Sequence, residues 1–279
     1  MSKARTKASA AVAVCILSMS ASGSLQAETK IPLRERIEVL QRSYPDLIYS
    51  ITNNILRLMD NRTVVISDGR EKMHLEMLRE ADIEDQLSQI YPIGKCYKTR
   101  QPGFNPGLIR SMPFLHSAYG ANQHQAKRTM STIDWFGTPV RFSNRNGAAD
   151  ALRRVRNDLM QLPANIQNAL KNPARTFDWA EVPDTEQLSV HAFGIAIDLN
   201  PALRNHWRTR AGARRRKIGG YRNRIPPSIV AIFERHGFIW GGKWHRFNTT
   251  HFEYRPAMIA LARLAEKRGC EKEKMVSGK

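Results

Sequence analysis

Several segments of the chain repeat apolar residues every three or four positions, the pattern of a helix with one buried face. This spacing predicts helices over residues 31–59, 71–90, 147–162, 227–236 and 256–268. Pro45 breaks the first segment into two helices, because proline interrupts the hydrogen-bond pattern of a helix. Pro256 is expected to start the last helix, and Gly237 and Gly269 are expected to end the last two.

Short runs with alternating apolar and polar residues predict strands. Residues 63–66 form the first such run. Residues 195–200 and 251–254 form two more, and each has an apolar face suited to a core. The opposite, polar face carries Asp198 in one strand and His251 in the other. The chain is therefore expected to combine helices with a few short strands.

The N-terminus has the order of a secretory signal over residues 1–27: basic residues, a short apolar run, then small residues before a cleavage site. The apolar run from Ala8 to Met19 is shorter than the ~20 residues that cross a bilayer. We therefore expect an exported protein that begins near Glu28 and has no stable membrane insertion after cleavage. An uncleaved anchor or a buried first helix is the alternative.

The rest of the chain is expected to divide into a helical leader over 28–92, a main domain over 93–269 and a C-terminal tail over 270–279. After cleavage two cysteines remain, Cys96 and Cys270. In an oxidising compartment such a pair is a disulfide candidate, and two buried thiols are the alternative.

Composition and charge narrow the possible partners. The chain has 42% hydrophobic and 25% charged residues, which is typical of a folded globular protein. Its net charge of +19 indicates a polyanionic neighbour, such as cell-wall polymer, anionic lipid or nucleic acid. The basic residues concentrate over 204–224, a run that also fits a solvated loop. The secretory signal and the lack of a recognisable nucleic-acid module argue against nucleic acid.

Three polar residues of these segments are candidate metal ligands. Gly194 permits a tight turn, so that His191 can fold back towards Asp198. His251 completes a set of three, and a catalytic zinc typically takes three protein ligands and leaves one position for water. Glu253 then suits a role in fixing the ring of a ligand histidine. On spacing alone, a structural histidine and a surface aspartate are the simpler interpretation.

Residues 189–200, which read SVHAFGIAIDLN, resemble the SxHxxGxAxD signature of the LAS zinc peptidases. This group includes the VanY-like D-alanyl-D-alanine carboxypeptidases and phage endolysin peptidases. Residues 240–256 resemble the closing segment of these enzymes, with WGGKW followed by HFEYRP. Shorter segments that also look family-like lie at 104–107, 177–179 and 223–226. The resemblance covers roughly residues 92–260.

The resemblance implies an α+β fold with a small antiparallel sheet packed against helices. It also implies Zn²⁺ held by His191, Asp198 and His251, and hydrolysis of peptide bonds near D-amino acids in peptidoglycan stem peptides. In such enzymes the metal polarises the carbonyl and activates a water, and a carboxylate takes the proton of that water. The expected partner is therefore peptidoglycan peptide, in the periplasm or cell envelope.

The chain departs from the family pattern at that carboxylate. The family's acid lies three residues before the last histidine ligand, and this position is Asn248 here. An amide can orient a water by hydrogen bonding but cannot accept its proton. Three hypotheses remain: a slow enzyme, an enzyme in which His245 or Glu253 substitutes, or a pseudopeptidase that binds zinc and wall peptide without cutting.

Ser189, Arg110 and Arg145 are candidate substrate-binding residues. The serine can bind either substrate or the backbone beside His191. Each arginine can clamp a substrate carboxylate or a tetrahedral oxyanion, or can simply lie on the surface. The remaining histidines have no ligand-like setting and are interpreted as structural: His74, His116, His124, His206 and His236.

Overall fold

The N-terminal part of the fold is a helix followed by a three-stranded sheet. We describe it from a computed structural model that covers residues 31–93, 99–183, 185–208 and 220–277, with the backbone alone from residue 270 onward. Helix α1 (Leu33–Ser43) ends before Pro45, as expected. Strands β1 (Ile48–Thr52), β2 (Ile55–Leu58) and β3 (Thr63–Val65) pair antiparallel in that order. The strand predicted near residue 63 is thus confirmed.

The second helix predicted within residues 31–59 is wrong, because this segment is the hairpin of β1 and β2. Its apolar residues also fit a strand: Leu56 and Leu58 are buried, whereas Arg57 between them is exposed. Asn53 turns the chain with a φ of 52°, a left-handed conformation that asparagine tolerates well. The apolar residues of this segment therefore fit both the two-residue period of a strand and the spacing of a helix.

The helix predicted over 71–90 is replaced by two short helices, α2 (His74–Glu80) and α3 (Ile83–Gln86). Asp82 separates them, since its side chain accepts the N–H of Asp85 and starts the second helix.

A hairpin and several helices follow in the middle of the chain. Helices α4 (Met112–Tyr119) and α5 (Gln123–Arg128) precede strands β4 (Met130–Trp135) and β5 (Thr138–Ser143), which pair antiparallel. Helix α6 (Ala148–Leu159) confirms the helix predicted over 147–162. Helix α7 (Ala164–Leu170) and the short strands β6 (Glu181–Val182) and β7 (Gln187–Leu188) lead to the last sheet.

The last sheet is antiparallel, with strand order β8-β10-β9. Its strands are β8 (Ala196–Asp198), β9 (Phe238–Trp240) and β10 (His251–Tyr254), as the alternating pattern predicted for the first and last. Helices α8 (Pro227–Arg235) and α9 (Pro256–Ser277) confirm the two C-terminal helices. Gly269 does not end α9, which continues to Ser277.

One hydrophobic cluster joins the N-terminal helix and sheet to the C-terminal sheet. Phe252 of β10 stacks on Phe233 of α8 with ring centroids 3.9 Å apart. Helix α1 contacts α9, and Arg268 donates to Glu35 at 2.6 Å. The part of the chain from Ile31 onward is one compact unit, and its α+β architecture with small antiparallel sheets confirms the predicted fold class.

Several predictions concern residues outside this description. They concern the secretory signal, Cys96, the side chain of Cys270 and most of the basic run over 204–224. What the sequence indicates about these residues stays a prediction. None of the described helices is long and apolar enough to cross a membrane.

Candidate metal centre

A short 3-10 helix, Val190–Phe193, carries His191. Ser189 starts it, since the Ser189 Oγ accepts the N–H of His191 at 3.3 Å. Gly194 ends it in the left-handed region, with a φ of 64°. A Cβ at position 194 would lie 2.6 Å from the Cε of Met130, so both the turn and the packing require glycine. The chain then reverses directly into β8, as the sequence predicted.

The register of the last sheet brings the second and third candidate ligands together. Asp198 on β8 lies directly opposite His251 on β10. The Oδ1 of Asp198 lies 2.8 Å from the Nδ1 of His251 and 3.4 Å from the Nε2 of His191. The three candidate ligand atoms lie within 4.8 Å of one another, and all three residues are buried. The structure therefore brings the predicted ligands to a single point.

The hydrogen bonds of the two rings leave one nitrogen of each ring facing this point. The Nδ1 of His191 lies 3.1 Å from the backbone oxygen of Thr176, so it carries the proton of the neutral ring. The Nε2 of His191 is buried and has no hydrogen-bond partner. The Nε2 of His251 lies 3.1 Å from the Oε2 of Glu253, which leaves Nδ1 to face Asp198. Two imidazole nitrogens and one carboxylate oxygen, oriented by outer hydrogen bonds, fit a zinc ion.

Carboxylates surround the His251 ring and favour a cation there. Burial alone would lower the pKa of His251, but Asp198 and Glu253 raise it to about 9. Burial also opposes ionisation of Asp198, yet His191 and His251 hold the pKa of this carboxyl well below its usual range. Burial lowers the pKa of His191, so this ring is neutral and able to act as a ligand.

The sequence analysis missed Arg175. Its Nη2 donates to the Oδ2 of Asp198 at 3.2 Å and its Nη1 to Asp178 at 3.1 Å. The N–H of Asp178 in turn donates to the backbone oxygen of His191 at 3.2 Å. Arg175 thus occupies one oxygen of Asp198 and leaves the other for the cluster. The family-like segment at 177–179 was the available signal, since it lies beside Arg175.

Glu253 lies behind the His251 ring and is fully buried. Its Oε1 lies 3.7 Å from the Nη1 of Arg255. Gly107 closes this space, since a Cβ there would lie 2.7 Å from the Oε1 of Glu253 and 2.2 Å from the Cζ2 of Trp244. Enclosed in this way, Glu253 is well placed to orient His251. Its role as a proton acceptor for water stays a prediction.

Asn248 lies half-buried just before β10. Its Oδ1 accepts the hydroxyl of Thr250 at 3.1 Å, so the NH₂ group is the part of the amide left for a ligand. His206 lies opposite Asn248 in an isolated antiparallel bridge.

His245 faces a different part of the protein. Its Nδ1 accepts the N–H of Gly103 at 3.3 Å, and its own N–H donates to the backbone oxygen of Phe104 at 2.7 Å. It is not a member of the buried His-Asp-His group. Its substitution for the missing carboxylate also stays a prediction.

The two predicted substrate arginines lie in different environments. Arg110 is buried and donates to the backbone oxygens of Gly107 at 2.7 Å and Leu188 at 3.0 Å. Burial lowers the pKa of Arg110 to about 10. Arg145 is exposed, at the start of a short 3-10 helix after β5. Substrate binding by either arginine, or by Ser189, stays a prediction.

The buried His-Asp-His group has the ligand types of the metal site of a metal-dependent hydrolase. Residues 183–254 match the model of the D-alanyl-D-alanine carboxypeptidase family, which supports the predicted family and indicates a peptidase. This segment includes all three candidate ligands and Asn248. No curated protein and no solved structure matches the chain.

Proposed function

We propose that this protein is a zinc-dependent peptidase that hydrolyses peptidoglycan stem peptides next to D-amino acids, as a D-alanyl-D-alanine carboxypeptidase does. The observation that carries the proposal is the convergence of His191, Asp198 and His251 within a segment that matches that family. Zinc bound there would polarise the scissile carbonyl and lower the pKa of a bound water.

The protein's own residues support this chemistry by holding the ligands in place. The backbone oxygen of Thr176 and the carboxylate of Glu253 fix the two imidazole rings, and Arg175 fixes the carboxylate of Asp198. Ligands held in this way need little rearrangement when a metal binds.

A second candidate function is a wall-binding pseudopeptidase, and Asn248 favours it. An amide cannot accept the proton of the attacking water, and loss of a positioned base typically lowers the rate ~10²–10⁴-fold. Zinc content does not distinguish the two functions, because the ligand set is the same in both.

We propose export to the periplasm or cell envelope, on the basis of the secretory pattern over residues 1–27. Peptidoglycan is then the accessible substrate, and its anionic wall environment suits a strongly basic protein.

The deciding experiment is digestion of purified peptidoglycan and of soluble stem peptides by the zinc-loaded protein, with products identified by mass. Loss of a terminal D-alanine indicates a carboxypeptidase, and opened cross-links indicate an endopeptidase. The matched control is His191→Ala, which removes one candidate ligand. If peptidoglycan is bound but never cut, the pseudopeptidase is the correct function. If it is neither bound nor cut, both proposals are wrong.

A further inference from the structure

The segment that contains His206 runs beside the one that contains Asn248. The N–H of Trp207 donates to the backbone oxygen of Phe247 at 2.9 Å, and the N–H of Thr249 donates to that of Asn205 at 3.0 Å. These two bonds flank the pair formed by His206 and Asn248, which is therefore a non-hydrogen-bonded pair of an antiparallel ladder. In such pairs the side chains lie on one face and closer together than in hydrogen-bonded pairs.

This pairing places the imidazole of His206 next to the position where the family has its acid. His206 also interacts electrostatically with Asp198 and His251, which places it within range of the candidate metal centre. The sequence analysis interpreted His206 as structural, because it has no ligand-like setting along the chain. More than 40 residues separate it from Asn248.

The hydrogen bonding of the ring defines what it can offer a ligand. The Nδ1 of His206 accepts the N–H of Arg208 at 3.1 Å, so the proton of the neutral ring is on Nε2. Within the described part of the chain, no hydrogen bond is made to this Nε2. Burial and the nearby Arg204 lower the pKa of His206 to about 4, so the ring is neutral near pH 7. A neutral imidazole held in this way donates a hydrogen bond and carries no charge.

We propose that His206 is a further catalytic residue of this site, which donates its Nε2–H to the carbonyl oxygen of the scissile peptide bond as that oxygen becomes negative. This inference rests on the proposed peptidase function. Asn248 presents its NH₂ group on the same face, because its Oδ1 accepts from Thr250. The two side chains then form a pair of neutral donors, which stabilise an oxyanion but do not remove a proton from water. A carboxylate at position 248 would accept a proton from water but would donate no hydrogen bond to an oxyanion.

The test compares two variants of the zinc-loaded full chain. His206→Leu removes the donor, whereas His206→Gln keeps an N–H donor in a side chain of similar reach. His124→Leu is the matched control, because His124 is exposed on α5 and is not part of the site. The measurements are kcat and KM on a stem peptide ending in D-alanyl-D-alanine, and the Kd of a phosphinate analogue of that dipeptide by calorimetry. Zinc content and the thermal unfolding midpoint are recorded for each variant.

We expect His206→Leu to lower kcat by about 10²–10³-fold with KM changed only a few-fold, as for other losses of a single oxyanion donor. Binding of the phosphinate should weaken by a similar factor, and His206→Gln should recover most of both losses. Wild-type kcat and phosphinate affinity in His206→Leu would overturn the proposal. Equal losses in both variants, together with lost zinc or a lowered unfolding midpoint, would also overturn it, because they would indicate a structural role.

Failure of the proposed peptidase function can be distinguished from failure of the proposal for His206. If the wild-type protein cuts no peptide, the peptidase function is wrong, and phosphinate binding decides the role of His206. Weaker phosphinate binding in His206→Leu then supports the donor role. An unchanged Kd, or no binding by the wild-type protein, overturns it.

Discussion

At the residue scale, Asp198 links the charged groups of the candidate metal centre. One of its oxygens faces both His191 and His251, and the other accepts from Arg175. Each histidine makes a hydrogen bond with its other ring nitrogen, His191 to Thr176 and His251 to Glu253. Every member of this group therefore has a defined role, and removal of one ligand leaves an incomplete metal site.

We expect one zinc per chain in the wild-type protein and loss of that zinc in His191→Ala and His251→Ala. The reason is that two remaining ligands bind zinc much more weakly than three. Elemental analysis of the purified proteins measures this. The matched control is His236→Ala, since His236 pairs with Asp158 outside the candidate centre at 2.8 Å. Full zinc occupancy in both ligand variants would show that the assignment is wrong.

Asn248→Asp should raise peptidase activity by up to ~10²–10⁴-fold, because it restores a group that accepts a proton. Loss of the Asn248 N–H donor beside His206 offsets part of this gain. Asp and Asn have nearly the same shape, and an aspartate at 248 can still accept from Thr250. The measurement is the rate of stem-peptide hydrolysis at equal zinc occupancy.

The alternative bases are tested by His245→Gln and Glu253→Gln. If one of them already acts as the base, the wild-type protein is active, its own variant is slow, and Asn248→Asp gains little. An inert wild type and an inert Asn248→Asp variant, both with zinc, would support the pseudopeptidase.

At the scale of elements, the loop over 104–107 connects the N-terminal part of the fold to the segment before β10. Asn105 is fully buried and accepts the N–H of Arg246 with its Oδ1 at 2.7 Å. Its own N–H donates to Gln89 at 2.7 Å, and its Nδ2 lies 3.1 Å from the Nε2 of His74. The residues called a leader thus help to hold the chain that leads to Asn248.

Asn105→Ala should lower the free energy of unfolding by about 1–3 kcal/mol, because it leaves the part-buried N–H of Arg246 without an acceptor. Urea denaturation measures the change. Asn157→Ala, at an exposed position of α6, is the matched control and should stay within about 0.5 kcal/mol of the wild type. Equal stability of the two variants would contradict the linking role of this loop.

At the scale of the whole molecule, half-buried neutral histidines make stability depend on pH. The pKa of His206 is about 4 in the folded protein, below its ordinary value of 6.5. Burial also lowers the pKa values of His74 and His245. The unfolded chain therefore binds more protons between pH 6.5 and pH 4, and the folded state loses stability as the pH falls through this window.

His206→Gln should reduce this loss, because it removes one group that takes up a proton on unfolding. Thermal unfolding midpoints from pH 7 to pH 4.5 measure it, with a chelator present throughout so that metal release does not contribute. His124→Gln, at an exposed site, should keep the wild-type pH dependence. If the unfolding midpoints of His206→Gln and the wild type depend on pH in the same way, the lowered pKa of His206 is contradicted.

A disulfide between Cys96 and Cys270 would connect the start of the main domain to its last helix. Both side chains lie outside the described part of the structure, so this stays a prediction from export and the even number of cysteines. Closing so long a loop would stabilise the fold by ~4–5 kcal/mol in the chain-entropy model. Thiol titration of the unfolded mature protein without reductant measures it, and two free thiols per chain would rule the bridge out.

Local signals in the sequence determined much of this protein. The alternation around Asp198 and His251 predicted two strands, and Gly194 predicted the turn that returns His191 towards them. Alternation and turn stereochemistry depend on a few neighbouring residues, so one sequence suffices to recognise them. The three candidate ligands that the fold brings together were therefore identifiable before the structure.

Only the tertiary structure decided the pairings between distant segments. The hairpin at β1 and β2 was predicted as a helix, because its apolar spacing fits both periods and burial alone selects between them. The ion pair of Arg175 with Asp198 and the pairing of His206 with Asn248 join residues more than 20 positions apart. Such contacts depend on which surfaces pack together across the whole chain, and no local pattern specifies them.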